Sequence, residues 1–600
     1  MTRVAVLDVD KCKPKRCGRQ CHRFCPMVRS HIEAIRFEDA KPIIVESLCS
    51  GCGICVKKCP FNAISIVNLP DELEKDCSHR FGPNTFKLYR LPTPSPSMVL
   101  GLLGKNGIGK TTTIKIFSGE IRLNLGNYEN PPSWSEVISY FRGSTLQEYF
   151  QKMSVGKLKV VHKPQYVDKI PRVVSGKVGE LLEKVNERGT VLNTVTEYLE
   201  LKHIWDRSLD ALSGGELQRV AVAAAISREA DVYLFDEPSS YLDVKQRLQV
   251  AKAIRSLKKE GKIVVVAEHD LAIIDYLSDQ ICIFYGEAGV YGIVSNVHGV
   301  RTGINIFLEG YIPDENVRFR KEAITFHVKP PSLGFSAGET LLKWEALQKT
   351  YNGFKLVVFP GEIRKGEVIG ILGPNGIGKT TFVKILAGIE KADYDKEFRE
   401  FDVSYKPQYI SAEYEGTVQK LLASIAKDEF TSSWYKVEIL EPLGLNKLLD
   451  RNITELSGGE LQKTAIAACL SKKADLYLLD EPSAYLDVEE RLNMARTIRR
   501  VVEARGATAF VVEHDVVAQD FIADRLMVFT GEPGLKGVAN PPKSLREGMN
   551  AFLREMNVTF RRDPVTKRPR VNKEGSKLDK LQKEIGEYYY MHHLNAREED

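Results

Sequence analysis

Eight cysteines crowd the start of the chain in two runs. Cys12, Cys17, Cys21 and Cys25 are followed by Pro26, and Cys49, Cys52, Cys55 and Cys59 by Pro60. Thiolate sulfurs suit soft metals, and C-x2-C-x2-C-x3-C-P is a spacing that holds [4Fe–4S] clusters, the fourth cysteine of each run serving the other cluster. By that rule Cys12, Cys17, Cys21 and Cys59 hold one cluster, and Cys25, Cys49, Cys52 and Cys55 the other. The first run opens C-x4-C-x3-C, a departure from the usual spacing. Zinc is the structural rival; the prolines and the doubled run of four speak against it.

Two glycine-rich strings offer a second chemistry: Gly104-x4-Gly109-Lys110-Thr111 and Gly373-x4-Gly378-Lys379-Thr380. Such loops wrap phosphates with successive backbone N–H groups at a helix N-terminus. The lysine reaches the β and γ oxygens, and the threonine hydroxyl ligates Mg²⁺. The phosphate-binding sets are Gly104, Asn106, Gly107, Gly109, Lys110, Thr111 and Thr112, and Gly373, Asn375, Gly376, Gly378, Lys379, Thr380 and Thr381. Downstream of each, an apolar strand ends in Asp-Glu. Asp236 and Asp480 are expected to hold Mg²⁺, directly or through water, and Glu237 and Glu481 to polarise the attacking water of ATP hydrolysis.

Both strings belong to one internal duplication. LSGGELQ at Leu212–Gln218 returns at Leu456–Gln462, DEPSSYLDV from Asp236 as DEPSAYLDV from Asp480, and EHD from Glu268 at Glu513. TGINIFL (Thr302–Leu308) is echoed by EGMNAFL (Glu547–Leu553). Lys110 and Lys379 lie 269 positions apart, but Gln165 and Gln408, Ser213 and Ser457, and His269 and His514 lie 243 to 245 apart. The first copy therefore carries about 26 extra residues, which fit near 124–155. There Trp134–Phe141 and Leu146–Met153 have helical apolar spacing on either side of Arg142-Gly143, which predicts a helix–loop–helix insertion.

The elements that must position these residues are strands such as DVYLFDEP and KIVVVAEHD alternating with helices, an α/β core around a buried parallel sheet. With 43% hydrophobic and 27% charged residues, 600 residues suffice for several soluble domains. The longest apolar runs, such as Ile263–Ala267, stop far short of the roughly 18 residues of a membrane span, and MTRVAVLDVDKC has no signal-peptide core. A cytoplasmic protein without a membrane partner is expected, and in a reducing compartment clustered cysteines mean metal rather than disulfides. Cys77, Cys282 and Cys469 fall outside the pattern; the last two read as buried bystanders.

Net charge is +6, but Lys11–Arg29 holds seven basic residues and no acid, and Arg561–Lys577 seven against Asp563 and Glu574. Such stretches suit a phosphate-rich partner, with a solvated surface as the plainer reading. The expected boundaries are an iron–sulfur domain over 1–76, an extended proline-rich linker over 77–96, nucleotide-binding domains over 97–300 and 326–540, a hinge over 301–325, and a second hinge with a basic arm over 541–600.

LSGGE, together with the downstream D-loop and histidine, resembles the ABC-type ATPases, whose nucleotide domains pair head to tail. The resemblance implies that each ATP lies between one copy's P-loop and the other's signature. One site takes Lys110, Thr111, Gln165, Asp236, Glu237 and His269 with Ser457, Gly458 and Gly459. The other takes Lys379, Thr380, Gln408, Asp480, Glu481 and His514 with Ser213, Gly214 and Gly215. Glu237, Glu481, His269 and His514 are its catalytic residues. The signature reaches the γ-phosphate only when the halves close, so ATP acts as glue and hydrolysis releases the clamp. One aromatic of Phe86 and Tyr89, and one of Tyr351 and Phe354, is a candidate to stack on adenine; plain core aromatics are the equal alternative.

With iron–sulfur domain, two ABC copies, insertion and basic arm in this order, the chain is similar over essentially its whole length to the ABC-type ribosome-recycling ATPases, the RNase L inhibitor family. That implies two ABC-type P-loop domains in head-to-tail tandem behind an α+β ferredoxin-like domain with two [4Fe–4S] clusters. It further implies a monomeric cytoplasmic ATPase that splits ribosomes, works with a release-factor-like protein and stays on the small subunit. The insertion and both hinges would contact the ribosome. Two rivals stay open: an ATP-gated iron–sulfur electron-transfer protein, and a transporter ATPase docked on a separate membrane subunit.

Overall fold

In the first lobe eight strands stand side by side in the order Cys77–Arg80, Lys87–Tyr89, Tyr291–Gly299, Gln280–Glu287, Val99–Gly104, Ile263–Ala267, Val232–Asp236 and Val160–Lys163. The last five are mutually parallel. Every residue of Val99–Gly104 and of Val232–Asp236 is buried, as a sheet covered on both faces requires of its unbroken apolar runs. The second lobe repeats the order with Leu347–Tyr351, Phe354–Val358, Lys536–Ala539, Arg525–Glu532, Val368–Leu372, Thr508–Val512, Leu476–Asp480 and Val403–Lys406. This is a computed structural model; it describes residues 2–7, 12–38, 41–61, 63–69, 76–326, 339–351, 353–393, 401–410 and 412–589.

This strand order explains why motifs far apart in sequence act together. The P-loop, the Gln165 loop, the Asp236-Glu237 turn and His269 all leave the carboxyl ends of neighbouring parallel strands. That edge of an open α/β sheet is where ligands bind.

The N-terminal domain pairs Thr2–Leu7 with Ile64–Leu69 and Ile35–Glu38 with Lys41–Ile44, both antiparallel. Three helical turns, Gln20–Arg23, Pro26–Arg29 and Ile54–Lys58, carry cysteines within them or at their ends. Its apolar cluster is small, and Cys21 and Cys55 are members of it beside Ala5, Leu7, Ile35, Ile44, Ala63 and Ile64. A core of that size needs cross-linking to be stable.

The insertion forms helices Trp134–Tyr140 and Thr145–Ser154, the first opened by a Ser133/Glu136 capping box. Phe141, Leu146, Tyr149 and Phe150 are buried. Tyr149 Oη donates to the Phe117 carbonyl at 2.7 Å, and the two rings meet edge to face. Phe117 belongs to the P-loop helix Lys110–Ser118. The insertion is therefore mounted on the element that cradles phosphate.

Residues 77–96 are not the extended linker expected. Cys77–Arg80 and Lys87–Tyr89 are edge strands of the first lobe's sheet, and Cys77, His79, Leu88, Tyr89 and Leu91 are buried. Pro92, Pro94 and Pro96 lie beyond the paired residues, so they break no ladder bond. The segment also seats the N-terminal domain. The Asn84 side chain exchanges hydrogen bonds of 2.5 and 2.7 Å with the Ile44 backbone, and Glu46 pairs with Arg80 (3.2 Å) and Lys87.

The basic arm is only in part a free cationic surface: Lys567, Lys573 and Lys577 are exposed, whereas Arg562, Arg568 and Arg570 are buried. Phe560–Arg562 and Pro569–Val571 form a hairpin that packs between helix Leu271–Leu277 of the first lobe and helix Val516–Ile522 of the second. Asp275 accepts from Arg568 Nη1 at 2.8 Å and from Arg570 Nε and Nη2 at 2.8 and 3.0 Å. Asp520 accepts from Arg562 Nη1 and Nη2 at 2.7 and 2.5 Å. Buried guanidinium groups need such carboxylates, and these three find them within the fold. Residues 590–600 of the expected arm lie outside the described residues.

The echo TGINIFL/EGMNAFL marks two helices, Val300–Glu309 and Leu545–Glu555, each laid on the adjoining strand of its lobe. A Cβ at Gly548 would come within 2.5 Å of the Leu526 side chain, so glycine is what permits this approach. Among the described residues no helix is long and apolar enough to cross a membrane.

Candidate ATP and iron–sulfur sites

Each P-loop closes around its own lysine. Lys110 Nζ donates to the carbonyls of Gly104 (2.8 Å) and Lys105 (2.7 Å), and Lys379 Nζ to those of Gly373 (2.9 Å) and Pro374 (2.6 Å). Burial lowers both ammonium groups, Lys379 to about 8, against the pull of nearby acids. Gly109 and Gly378 cap the helices at φ +105° and +98°, which leaves Thr111, Thr112, Thr380 and Thr381 in the first turn. The positive end of the helix then faces the loop, as anion binding requires.

Beside each loop lies an acidic pair. Burial and the Glu237 charge raise Asp236, and burial raises Asp480, against the opposing pull of the Thr111 and Thr380 hydroxyls. Asp236 Oδ2 is buried with no protein partner among the described residues. An uncompensated carboxylate next to a threonine hydroxyl is a donor set that suits Mg²⁺.

The following glutamate is gripped on all sides. Glu237 Oε1 accepts from Gln165 Nε2 at 2.7 Å and lies 3.2 Å from His269 Nε2, while Oε2 accepts from Ser240 at 3.1 Å. Glu481 Oε1 accepts from Gln408 Nε2 at 2.8 Å and lies 3.3 Å from His514 Nε2. Burial alone would raise these carboxyls, but the bonds and charges of His269 and His514 hold both down to about 2. Glu237 and Glu481 also sit at φ +45° and +46°, a left-handed backbone that costs a non-glycine residue about 1–3 kcal/mol.

The lobes meet head to tail through these same loops. The Asn106 backbone N–H donates to Asp487 Oδ2 of the second lobe at 2.9 Å, and the Asn375 N–H to Asp243 Oδ2 of the first at 3.1 Å. Asn106 Nδ2 reaches the Tyr485 carbonyl, and Asn375 Nδ2 the Tyr241 carbonyl, both at 3.4 Å. Gly107 and Gly376 follow in the same two turns. The signature residues Ser213, Gly214, Gly215 and Ser457, Gly458, Gly459 open the helices Gly214–Ser227 and Gly458–Ser471. Each serine hydroxyl is exposed and engaged in its own capping box, Ser213 with Glu216 and Ser457 with Glu460.

The four aromatics expected near adenine separate. Phe86 and Phe354 lie directly under the P-loops; a Cβ at Gly109 would meet the Phe86 ring at 2.9 Å. Tyr89 is only 4% exposed, packed on Tyr291 in the core, so burial removes it as a stacking surface. Tyr351 is 40% exposed and bonds Glu390 through its hydroxyl.

In the N-terminal domain the cysteines gather around two cavities. Cys12, Cys17, Cys21 and Cys59 line one, and Cys25, Cys49, Cys52 and Cys55 the other. Among the described residues no three such side chains converge on a point a single metal ion could occupy. Four sulfurs ringing each cavity without converging on one point suit a multi-iron cluster better than zinc. Backbone N–H groups of Gly51 and Ala63 donate to the sulfurs of Cys49 and Cys59, each at 3.4 Å. Burial raises Cys21 and Cys55 to about 11, so loading a cluster must displace protons.

Several residues of these sites were not among the expected site residues. Asp243, Asp487, Tyr241 and Tyr485 stand in the repeated SYLD and AYLD strings, the D-loop stretch downstream of each signature. Lys163 and Lys406 lie two positions before Gln165 and Gln408, and both are 1% exposed.

Comparison with known proteins agrees with this geometry. A family model described as ABC transporter matches residues 93–240 and 359–484. Models described as a possible Fer4-like domain in RNase L inhibitor and as a 4Fe-4S binding domain match 2–32 and 42–65. An uncharacterised ABC transporter ATP-binding protein of Methanocaldococcus jannaschii is 55% identical, with 98% of each chain covered. The translation initiation factor RLI1 of Saccharomyces cerevisiae is 47% identical over 98% of each chain. A structure described as ribosome-bound archaeal Pelota and ABCE1 aligns at 57% identity and a TM-score of 0.91, covering 98% of this chain and 99% of that one. The archaeal ribosome recycling factor in complex with the stalk protein aP1 aligns at 57% identity and a TM-score of 0.83, over 87% of this chain and all of that one. The protein is an ATP hydrolase with an iron–sulfur domain, and it belongs to the RNase L inhibitor family of ABC-type ribosome-recycling ATPases.

Proposed function

We propose that the chain splits ribosomes into subunits by ATP-driven closure of its two lobes, acts as a monomer with a release-factor-like partner, and stays on the small subunit. The observation that carries this reading is the reciprocal reach of each P-loop to the other lobe, Asn106 to Asp487 and Asn375 to Asp243. Ligand at either P-loop then bears on both lobes. The relatives seen with ribosome-bound Pelota and with a ribosomal stalk protein support the choice of partner.

In this reading Lys110 and Lys379 bind phosphate oxygens, and Thr111 with Asp236, and Thr380 with Asp480, hold Mg²⁺, which neutralises phosphate charge when bound. Glu237 and Glu481 orient and polarise the attacking water, held by Gln165 and His269, and by Gln408 and His514. Ser213 and Ser457 exchange their capping-box partners for the nucleotide of the opposite lobe. Closure carries the N-terminal domain with the first lobe through Asn84 and Glu46, so its exposed Arg16, Arg19 and Arg23 move as part of a rigid body. Cys12, Cys17, Cys21 and Cys59 would hold one [4Fe–4S] cluster and Cys25, Cys49, Cys52 and Cys55 the other, and such ligation would cross-link that body. The chain purified without oxygen should carry about eight irons and eight sulfides; zinc, or half that iron, would contradict the assignment.

A truncated protein lacking residues 1–75 tests the whole reading. It should hydrolyse ATP and bind small subunits, yet fail to split ribosomes in a light-scattering assay. Splitting at the full rate would remove the N-terminal domain from the working stroke.

A further inference from the structure

One pair of buried cations has no part in the mechanism above. Lys163 ends the strand Val160–Lys163 and Lys406 ends Val403–Lys406, at the same position in each lobe. Lys163 Nζ donates to the Asp236 carbonyl at 3.0 Å and to the Glu237 carbonyl at 3.3 Å. Lys406 Nζ does the same to Asp480 and Glu481, at 2.8 and 3.3 Å. We propose that Lys163 and Lys406 are positioning residues for ATP hydrolysis. Each clamps two consecutive backbone carbonyls and so holds the glutamate in the left-handed conformation that aims its carboxylate at the glutamine and histidine beside it.

Three observations converge on this. First, the glutamate backbone is strained at φ +45° and +46°, and such a conformation persists only where its surroundings over-determine it. Second, the next residue is Pro238 or Pro482, which has no N–H and so cannot itself help to hold the turn. The Glu237 N–H is already held by the Ala267 carbonyl at 2.9 Å and the Glu481 N–H by the Val512 carbonyl at 3.0 Å, so on the proline side the carbonyls are the handles. Gln218 Nε2 takes the Glu237 carbonyl as well, at 2.7 Å, and Gln462 Nε2 the Glu481 carbonyl at 2.9 Å. Third, an ammonium 99% withdrawn from solvent is costly unless it is needed, and the second lobe repeats it with the same two acceptors. The cost is met in both lobes by the same pair of carbonyls, at 3.0 and 3.3 Å in one and 2.8 and 3.3 Å in the other.

The inference rests on Glu237 and Glu481 being the water-polarising residues, so the test carries the E237Q/E481Q double variant beside the lysine variants. In K163M/K406M, kcat should fall by about ten- to a hundredfold, the scale expected when a catalytic group is displaced by an ångström or so. ATP affinity, measured by titration, should stay within about threefold, because the P-loops are untouched. K163R/K406R, which retains donors to both carbonyls, should recover most of the rate. Recovery also settles the case in which the methionine variant does not fold. Normal kcat in K163M/K406M would overturn the proposal while leaving the glutamate reading intact. Rate and affinity falling together with no recovery by arginine would also overturn it, as a purely structural loss. Normal turnover in E237Q/E481Q would remove the glutamates, and the lysine proposal with them.

Discussion

Replacing Glu237 and Glu481 together by glutamine stops ATP turnover and leaves ATP bound. The amide keeps the shape of the carboxylate, and its oxygen can still accept from Gln165 or Gln408, so the P-loops and the lobe contacts are undisturbed. What disappears is the negative charge that polarises water. That charge is firmly held, since the bonds and charges of His269 and His514 keep both carboxyls at about 2 in spite of burial. A positioned base contributes about 10² to 10⁴ in rate, so steady-state phosphate release should drop at least about a hundredfold while retention of labelled ATP rises. Turnover within about twofold of the unsubstituted protein would exclude both residues from the chemistry. The depressed carboxyls also set a sign for stability. Their contribution is fully present above about pH 4.5, the ordinary value, and is lost as pH falls toward 2. Neither glutamate therefore places an acid limb on the pH–rate profile near neutrality.

The second large effect lies far from ATP. Asp275→Ala removes the carboxylate that receives Arg568 and Arg570, which strips the buried Arg568 of its ion pair and leaves Arg570 only the longer one to Asp563 at 3.3 Å. Breaking a buried pair from one side costs about 3–5 kcal/mol, which is enough to detach the hairpin Phe560–Val571 from its seat between the lobes. Limited proteolysis should cut the 556–576 stretch much faster than in the unsubstituted protein, and the first thermal transition should move down. Replacing Asp275, Arg568 and Arg570 together by leucine should restore part of the loss, since apolar replacement of a buried ion pair is often neutral, with Asp563 keeping Arg301 at 3.3 Å. If D275A resists protease as well as the parent, the hairpin is held by apolar contacts such as those of Phe560 and Val571 instead.

Much of the site was legible in the residues because motif spacing encodes chemistry directly. Four cysteines at x2-x2-x3 spacing must share a small volume, and a glycine loop before Lys-Thr must wrap an anion. The parallel sheet then brings Gln165, Glu237 and His269 together without any further signal. What escaped was decided by burial and by distant partners. Arg562, Arg568 and Arg570 look in sequence like a ribosome-binding arm; their acids, Asp275 and Asp520, sit in the apolar strings LAIIDYL and VVAQDFI, far along the chain. Residues 77–96 read as a linker because Pro92, Pro94 and Pro96 dominate the composition, although Lys87-Leu88-Tyr89 pair with Tyr291–Ile293 in the sheet. Tyr89 was lost as an adenine platform for the same reason. Lys163 and Lys406 look like surface charge beside Pro164 and Pro407, and only their burial marks them.

The claim that lobe closure splits ribosomes is tested most directly on a sucrose gradient. Intact ribosomes carrying a release-factor-like partner are mixed with the protein and either ATP or ADP. ATP should convert the ribosome peak into free subunits, with the protein sedimenting on the small one, and ADP should leave the ribosomes whole. The E237Q/E481Q variant with ATP should stay on the small subunit through the run. An unchanged ribosome peak with ATP, and no nucleotide-dependent protein in the small-subunit fractions, would contradict the account.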